Sequence, residues 1–215
     1  MKTILSSIRL WLSVALVSCC LLAKGQTFNS DSLRAGDLLF VYQDVDNAIT
    51  KVTEGKDGAA IDHVGIAARK RGKWTVIEAV HKGVQEIPLD SFLFHNRGKE
   101  GKPNVIAGRV TGPVAVKKSI RRARQQLGKP YDFNFMPDDK EIYCSELVQK
   151  SFVDRDGRLV FQPIPMSFHD RSGRILPYWR EYYASQHLAV PEGADGSNPG
   201  DLSRNARVRI VGRWH

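Results

Sequence analysis

Cysteine is scarce in this chain: three in 215 residues, at positions 19, 20 and 144. Two of them lie in the N-terminal apolar stretch, so one thiol stands alone in the rest of the sequence. A lone cysteine excludes an internal disulfide framework and a cysteine-rich zinc site. The six histidines, at 63, 81, 95, 169, 187 and 215, are scattered without paired ligand spacing, so no metal is expected. There is no glycine-rich phosphate cradle and no G-x-S-x-G elbow, which removes the usual nucleotide-binding and serine-hydrolase signals. No cofactor is implied. Internal repeats and long low-complexity segments are also missing.

What is there describes a globular chain, with 42% hydrophobic and 26% charged residues. The first 25 residues read as a secretion signal. Lys2 and Arg9 precede an apolar stretch from Leu10 to Leu22, and Ala23 and Gly25 occupy small-residue cleavage positions. The stretch is too short to favour a membrane span. Leu16-Val17-Ser18-Cys19 offers an alternative, a lipobox that would leave Cys19 lipidated. The apolar run continuing through Cys20, Leu21 and Leu22 weighs against it. The sequence thus divides into residues 1–25 as signal and 26–215 as one exported domain, periplasmic or extracellular. Net charge is +9, and about +6 without Lys2, Arg9 and Lys24. That excess suits peripheral contact with an anionic membrane or wall polymer, and export argues against a nucleic-acid partner.

Strand signals are frequent. Asp37–Tyr42, Gly83–Leu89, Val105–Val110 and Val208–Trp214 are short apolar or alternating runs. His63–Arg69 and Trp74–Val80 flank Lys70-Arg71-Gly72-Lys73, a hairpin signal in which Gly72 can take a positive φ. Val114–Leu127 carries Val116, Ile120, Ala123 and Leu127 on one helical face, and Gly128 and Pro130 stop it. Further helices are expected from about Cys144 to Val153 and over Pro177–Leu188. Residues 26–33 read as a polar lead-in and 192–204 as a long loop. The mixture predicts α+β with an antiparallel sheet.

The hairpin carries the chemistry. A two- or four-residue loop pairs Arg69 with Trp74. Counting back sets Gly65 opposite Glu78 and His63 opposite Val80. His63 and Glu78 are then diagonal neighbours on one sheet face, within reach of long side chains. Gly65 and Ala67 share that face and leave room for another element. An imidazole oriented by a carboxylate suits a general base, although an ordinary surface pair has the same pattern. His81, at an odd separation from Glu78, falls on the opposite face.

Cys144 lies in Glu141-Ile142-Tyr143-Cys144-Ser145-Glu146. If a helix begins at Cys144, free backbone N–H groups and the helix dipole surround its sulfur and favour the thiolate. The cysteine's own N–H would be an oxyanion donor. Asp138-x-x-Glu141 offers a competing, earlier helix start. The later start is preferred because Glu141–Tyr143 reads as an extended approach. Tyr143 and Tyr131, close to the cysteine in sequence, are candidate substrate-lining residues.

Gly36-Asp37-Leu38-Leu39-Phe40, Asp62-His63-Val64-Gly65-Ile66 and Val76-Ile77-Glu78-Ala79 resemble consecutive strands of the NlpC/P60 papain-like peptidases. In that family the Cys-bearing helix comes first. Here Tyr143-Cys144-Ser145-Glu146-Leu147-Val148 comes last, which resembles the circularly permuted YaeF/YiiX-like amidases. The resemblance runs from about Leu33 to Phe152 and includes Gly128-Lys129-Pro130-Tyr131-Asp132. It implies a permuted papain-like fold, a small antiparallel sheet packed against the Cys-bearing helix. It implies Cys144 as nucleophile, His63 as base and Glu78 as third member, acting on a peptide, amide or acyl substrate. Lipid-directed esterase or acyltransferase activity, or a binding module that has lost catalysis, are the alternatives. From Arg155 onward no motif matches, and that part is expected to shape substrate access.

Overall fold

A computed structural model describes residues 27–214. The signal reading over residues 1–25 and the lipobox at Cys19 lie outside the described residues. The elements in chain order are β1 (Thr27–Phe28), β2 (Leu38–Tyr42), β3 (Ile61–Lys70), β4 (Lys73–Val80), β5 (Gly83–Pro88), α1 (Leu89–His95), β6 (Val105–Val110) and α2 (Val116–Arg124). There follow α3 (Cys144–Ser151), β7 (Ile164–Pro165), α4 (Pro177–Ser185), β8 (Asp195–Gly196), α5 (Pro199–Arg204) and β9 (Val208–Trp214).

Seven strands form one sheet in the order β1-β9-β6-β2-β3-β4-β5, antiparallel except where β1 meets β9. The β3–β4 hairpin has the expected register, with Arg69 opposite Trp74 and Ile66 opposite Ile77. Its two-residue turn uses positive φ at both Arg71 (50°) and Gly72 (80°), the I′ geometry that matches strand twist.

The period-two alternation of the strands divides the core. Leu38, Phe40, Val64, Ile66, Ala68, Ile77 and Ala79 face α2 and α3, where Ile120, Ala123, Leu147, Val148 and Phe152 cover them. Leu39, Val41, Ala67, Val76 and Ala107 face the other way, under Leu89 and Phe92 of α1. Phe92 and Phe152 are fully buried, each worth about 1.5–3 kcal/mol of transfer free energy.

The space beside Gly65 is therefore filled by α1. A Cβ on Gly65 would come within 2.5 Å of Val76 Cγ1 and 3.3 Å of Phe92 Cε2. The Cys-bearing helix covers the opposite face. Sequence pattern missed α1 because its seven residues bury only Leu89 and Phe92 fully, with Leu93 packed beside them, too short a run to show a helical period.

Three further expectations change. Leu127 is exposed, because the helix stops at Arg124 and the chain tightens into turns. The 192–204 loop contains β8 and α5. Asn198 caps α5 by accepting from Asp201 N–H at 2.7 Å, and Pro199 occupies its first turn. The region after Arg155 does more than frame the substrate route, since β9 is an internal strand of the main sheet.

Candidate active site

His63 stands at an irregularity in β3. Val41 pairs with His63 but Tyr42 pairs with Ile61, so Asp62 is an extra residue in that strand. Such a bulge re-aims neighbouring side chains. His63 Nε2 lies 2.7 Å from Glu78 Oε2, the diagonal contact that the hairpin count predicts. Glu78 is buried, and its second oxygen accepts from Gln85 Nε2 at 2.8 Å. Gln85 sits directly opposite Glu78 on β5. A second hairpin count, through His81-Lys82, would have found it.

Cys144 is the first residue of α3, as the extended approach through Tyr143 predicts. The Tyr143 backbone is extended (φ −99°, ψ 172°), and its N–H donates to Glu146 Oε2 at 3.4 Å. Glu146 thereby guards the helix start, and Lys150 one turn on pairs with it at 2.6 Å. Asp138 instead accepts from Lys140 N–H in a local turn and starts no helix. The backbone N–H groups of Cys144, Ser145 and Glu146 precede the first intrahelical bond, from Leu147 N–H to the Tyr143 carbonyl at 3.0 Å. Cys144 is buried and unpaired.

Cys144 lies close enough to His63 to act on its charge, and Nε2 of the ring faces Glu78. Burial opposes a charge on the ring, but Cys144 and then Glu78 outweigh it, through hydrogen bonds and charge. The His63 pKa rises from 6.5 to about 10. Burial likewise opposes ionisation of Glu78, and the His63 contact reverses this and holds its carboxyl below the usual value, helped by Gln85 and nearby His95. His63 thus interacts both with the Glu78 carboxylate, through a hydrogen bond, and with the Cys144 thiol. His81 lies in the tight turn after β4 and takes no part in it.

A cleft opens beside the sulfur. Its walls are Ile49 and Val52 before β3, Tyr131 and Phe135 before α3, and Met166, Phe168 and Trp179 from the C-terminal region. Both candidate tyrosines line it. Tyr131 is half-buried, whereas Tyr143 is almost fully buried and its hydroxyl accepts Ser197 N–H at 3.0 Å. Ser197 also bonds Ser145 at 3.1 Å, so the segment before α5 is stitched to the cysteine loop. No local pattern signals that 166–168, 179 and 197–199 converge here. A wider aromatic groove lined by Phe133, Tyr178 and Tyr182 continues from the cleft past Tyr131 and Trp179.

Residues 32–176 match the profile of the family described as "Permuted papain-like amidase enzyme, YaeF/YiiX, C92 family". The uncharacterized protein YiiX of Escherichia coli strain K12 is 32% identical over 130 residues, 59% of this chain and 61% of that relative's length. The crystal structure described as metalloprotein yiiX from Escherichia coli O157:H7 superposes with a TM-score of 0.66 at 25% identity. That superposition covers 85% of this chain and 98% of the other.

Proposed function

The chain belongs to the permuted papain-like amidase family (YaeF/YiiX, C92), and from that premise we propose that it is an exported thiol hydrolase that cleaves an amide through a Cys144 acyl-enzyme. The observation that carries the reading is the line from Glu78 through His63 to a cysteine at a helix N-terminus. An imidazolium so held favours a neighbouring thiolate.

In this mechanism the Cys144 thiolate attacks the amide carbon. The oxyanion meets the N–H groups that open α3, Cys144's own among them. Protonated His63 gives its Nδ1 proton to the departing amine, leaving a thioester. Water then attacks the thioester as His63 takes its proton, and the acid and thiolate are released. Glu78 fixes the ring and supports its charge.

The substrate favoured is a wall-derived peptide or related amide, with export inferred from Lys2, Arg9 and the Leu10–Leu22 stretch. Among the described residues no helix is long and apolar enough to cross a membrane. The aromatic groove next to Cys144 favours a second reading, an esterase or acyltransferase with an apolar acyl group. The Escherichia coli O157:H7 relative is described as a metalloprotein. Among the described residues no group of three or more His, Cys, Asp or Glu converges as a donor set, so a metal does not fit and no step runs through one.

The test is alkylation of Cys144 against pH, read by mass spectrometry, followed by a screen of muropeptides, simple amides and acyl esters. Fast labelling at neutral pH, lost in His63→Ala, is expected. Slow labelling indistinguishable between the two proteins would leave a binding module instead. Turnover of esters alone would select the second reading.

A further inference from the structure

The cleft beside Cys144 has an unusual charge pattern. Its walls contain no lysine, arginine or histidine, and its one carboxylate is Asp62. Asp62 is the bulged residue immediately before His63. It is half-buried and held by two neutral amides. Asn47 Nδ2 donates to one oxygen at 2.5 Å, and Gln43 Nε2 donates to the other at 2.9 Å. Asn47 is itself fixed, since its own oxygen accepts from the Ile49 and Thr50 N–H groups. These partners orient the carboxylate without neutralising it. Among the described residues no cation pairs with Asp62, and Lys51 lies on the neighbouring groove.

Three other carboxylates of the fold are paired with cations, Asp37 with Arg109, Glu86 with Arg124 and Glu146 with Lys150, whereas Asp132, buried outside the cleft wall, accepts from the Asn134 N–H. The surroundings of Asp62 are aromatic. Burial first, then the charges of Cys144, Asp132 and Asp62, push the Tyr131 phenol well above its ordinary value, so the thiol and Asp62 both act on one ring. Phe135 and Trp179 stand in the same wall, edge to face at 5.9 Å. A fixed carboxylate with no counter-charge, among aromatic faces, is the environment that binds an ammonium group, by a charge-assisted hydrogen bond and by cation–π attraction.

We propose that Asp62 is a specificity residue that receives a primary ammonium group of the substrate, so that the preferred amides carry a free amine close to the scissile bond. This rests on the reading of Cys144 as the nucleophile. The amine stays intact; it positions the carbonyl over the sulfur and takes no part in bond making or breaking.

The experiment compares aminoacyl anilides bearing a free amine with their N-acetyl counterparts, in the wild type and in Asp62→Asn. The wild type is expected to prefer the free amine by about tenfold or more in kcat/KM, the scale of one charge-assisted hydrogen bond. That preference should collapse toward unity in Asp62→Asn, read as the ratio of the two substrates within each protein, and a cooperative urea transition reports that the variant is folded. Equal preference in the two proteins overturns the proposal. A second readout needs no turnover: Cys144 labelling by 2-bromoethylamine relative to iodoacetamide. The cationic reagent should lose its relative advantage in Asp62→Asn, and an unchanged ratio counts against the ammonium site. If neither anilide is hydrolysed but the labelling ratio changes as expected, the amidase reading fails and the ammonium site stands. If both anilides are hydrolysed equally well by the wild type, the amidase reading stands and the ammonium site fails. Should Asp62→Asn not fold, the wild-type preference must still shrink as salt rises from about 0.05 M to about 0.5 M, since screening weakens the ion contact. A salt-independent preference would refute it.

Discussion

Replacing Glu78 by Gln tests how the His63 imidazole is held. The substitution keeps shape and length and removes one charge. Glu78 accepts from His63 at 2.7 Å and from Gln85 at 2.8 Å. The new side chain can keep its oxygen toward His63 Nε2. Its amide nitrogen then faces the Gln85 nitrogen, and rotation of the Gln85 amide brings an oxygen round to meet it. The fold should therefore survive. What is lost is the difference between a charge-assisted hydrogen bond, about 1.5–3 kcal/mol, and a neutral one, about 0.5–1.5 kcal/mol. That difference is near one pKa unit, about 1.4 kcal/mol. His63, at about 10 in the wild type, should then deprotonate roughly one unit lower. The assay is the rate of Cys144 alkylation from acid to strongly alkaline pH, quantified on the Cys144 peptide. An inflection near 10 is expected in the wild type, moving down by about one unit in Glu78→Gln, with amide turnover at neutral pH reduced about tenfold. A variant with an unmoved inflection and unchanged turnover would show that the carboxylate does not support the imidazolium.

The raised pKa also has a stability consequence. Because folding lifts His63 above its ordinary 6.5, its contribution is complete below pH 6.5 and is lost as pH rises toward 10. Urea midpoints should therefore fall across that window, and the fall should be smaller in Glu78→Gln. Gly65→Ala forces a methyl against Val76 and Phe92, and urea unfolding should show a loss of about 1–3 kcal/mol. Arg124→Ala leaves the Glu86 carboxylate with Thr75 as its remaining side-chain donor. Arg124 is partly exposed, so the expected loss is about 1–2 kcal/mol. Since pairing lowers the Glu86 pKa, that loss should be present above pH 4.5 and diminish as pH falls below it. Trp179→Ala removes a buried cleft wall and the bond to the Ala48 carbonyl at 3.2 Å. A cost of about 3–5 kcal/mol is expected by the same measurement, and a cost below about 1 kcal/mol would show that the wall collapses to fill the gap.

Much of the candidate site was legible before any coordinates, because it depends on local rules. Period-two alternation and a two-residue turn fix the β3–β4 register, and the register brings His63 to Glu78. The extended approach through Tyr143 fixes where α3 begins, and that puts Cys144 among unpaired N–H groups. The order of strands and helix identified the family and its permutation. The 192–204 segment was also readable, since Asn198-Pro199 is a cap followed by a first-turn proline, but its polar composition masked the signal.

Tertiary structure decided the rest. Side-chain parity sets His63 and Glu78 on the face covered by α1, while α3 covers the other. Their meeting with Cys144 depends on the bulge at Asp62 and on how α3 is seated. No short-range pattern encodes either. The cleft is assembled from segments around 49–53, 62, 131–135, 143–145, 166–168, 179 and 197–199, joined by contacts such as Ser197 to Tyr143 and Trp179 to Ala48. The sequence by itself determined the His63–Glu78 pairing and the helix start at Cys144, because hydrogen-bond register and helix caps act over a few residues. Which groups surround that sulfur emerged only from packing, where burial of distant apolar side chains chooses the neighbours.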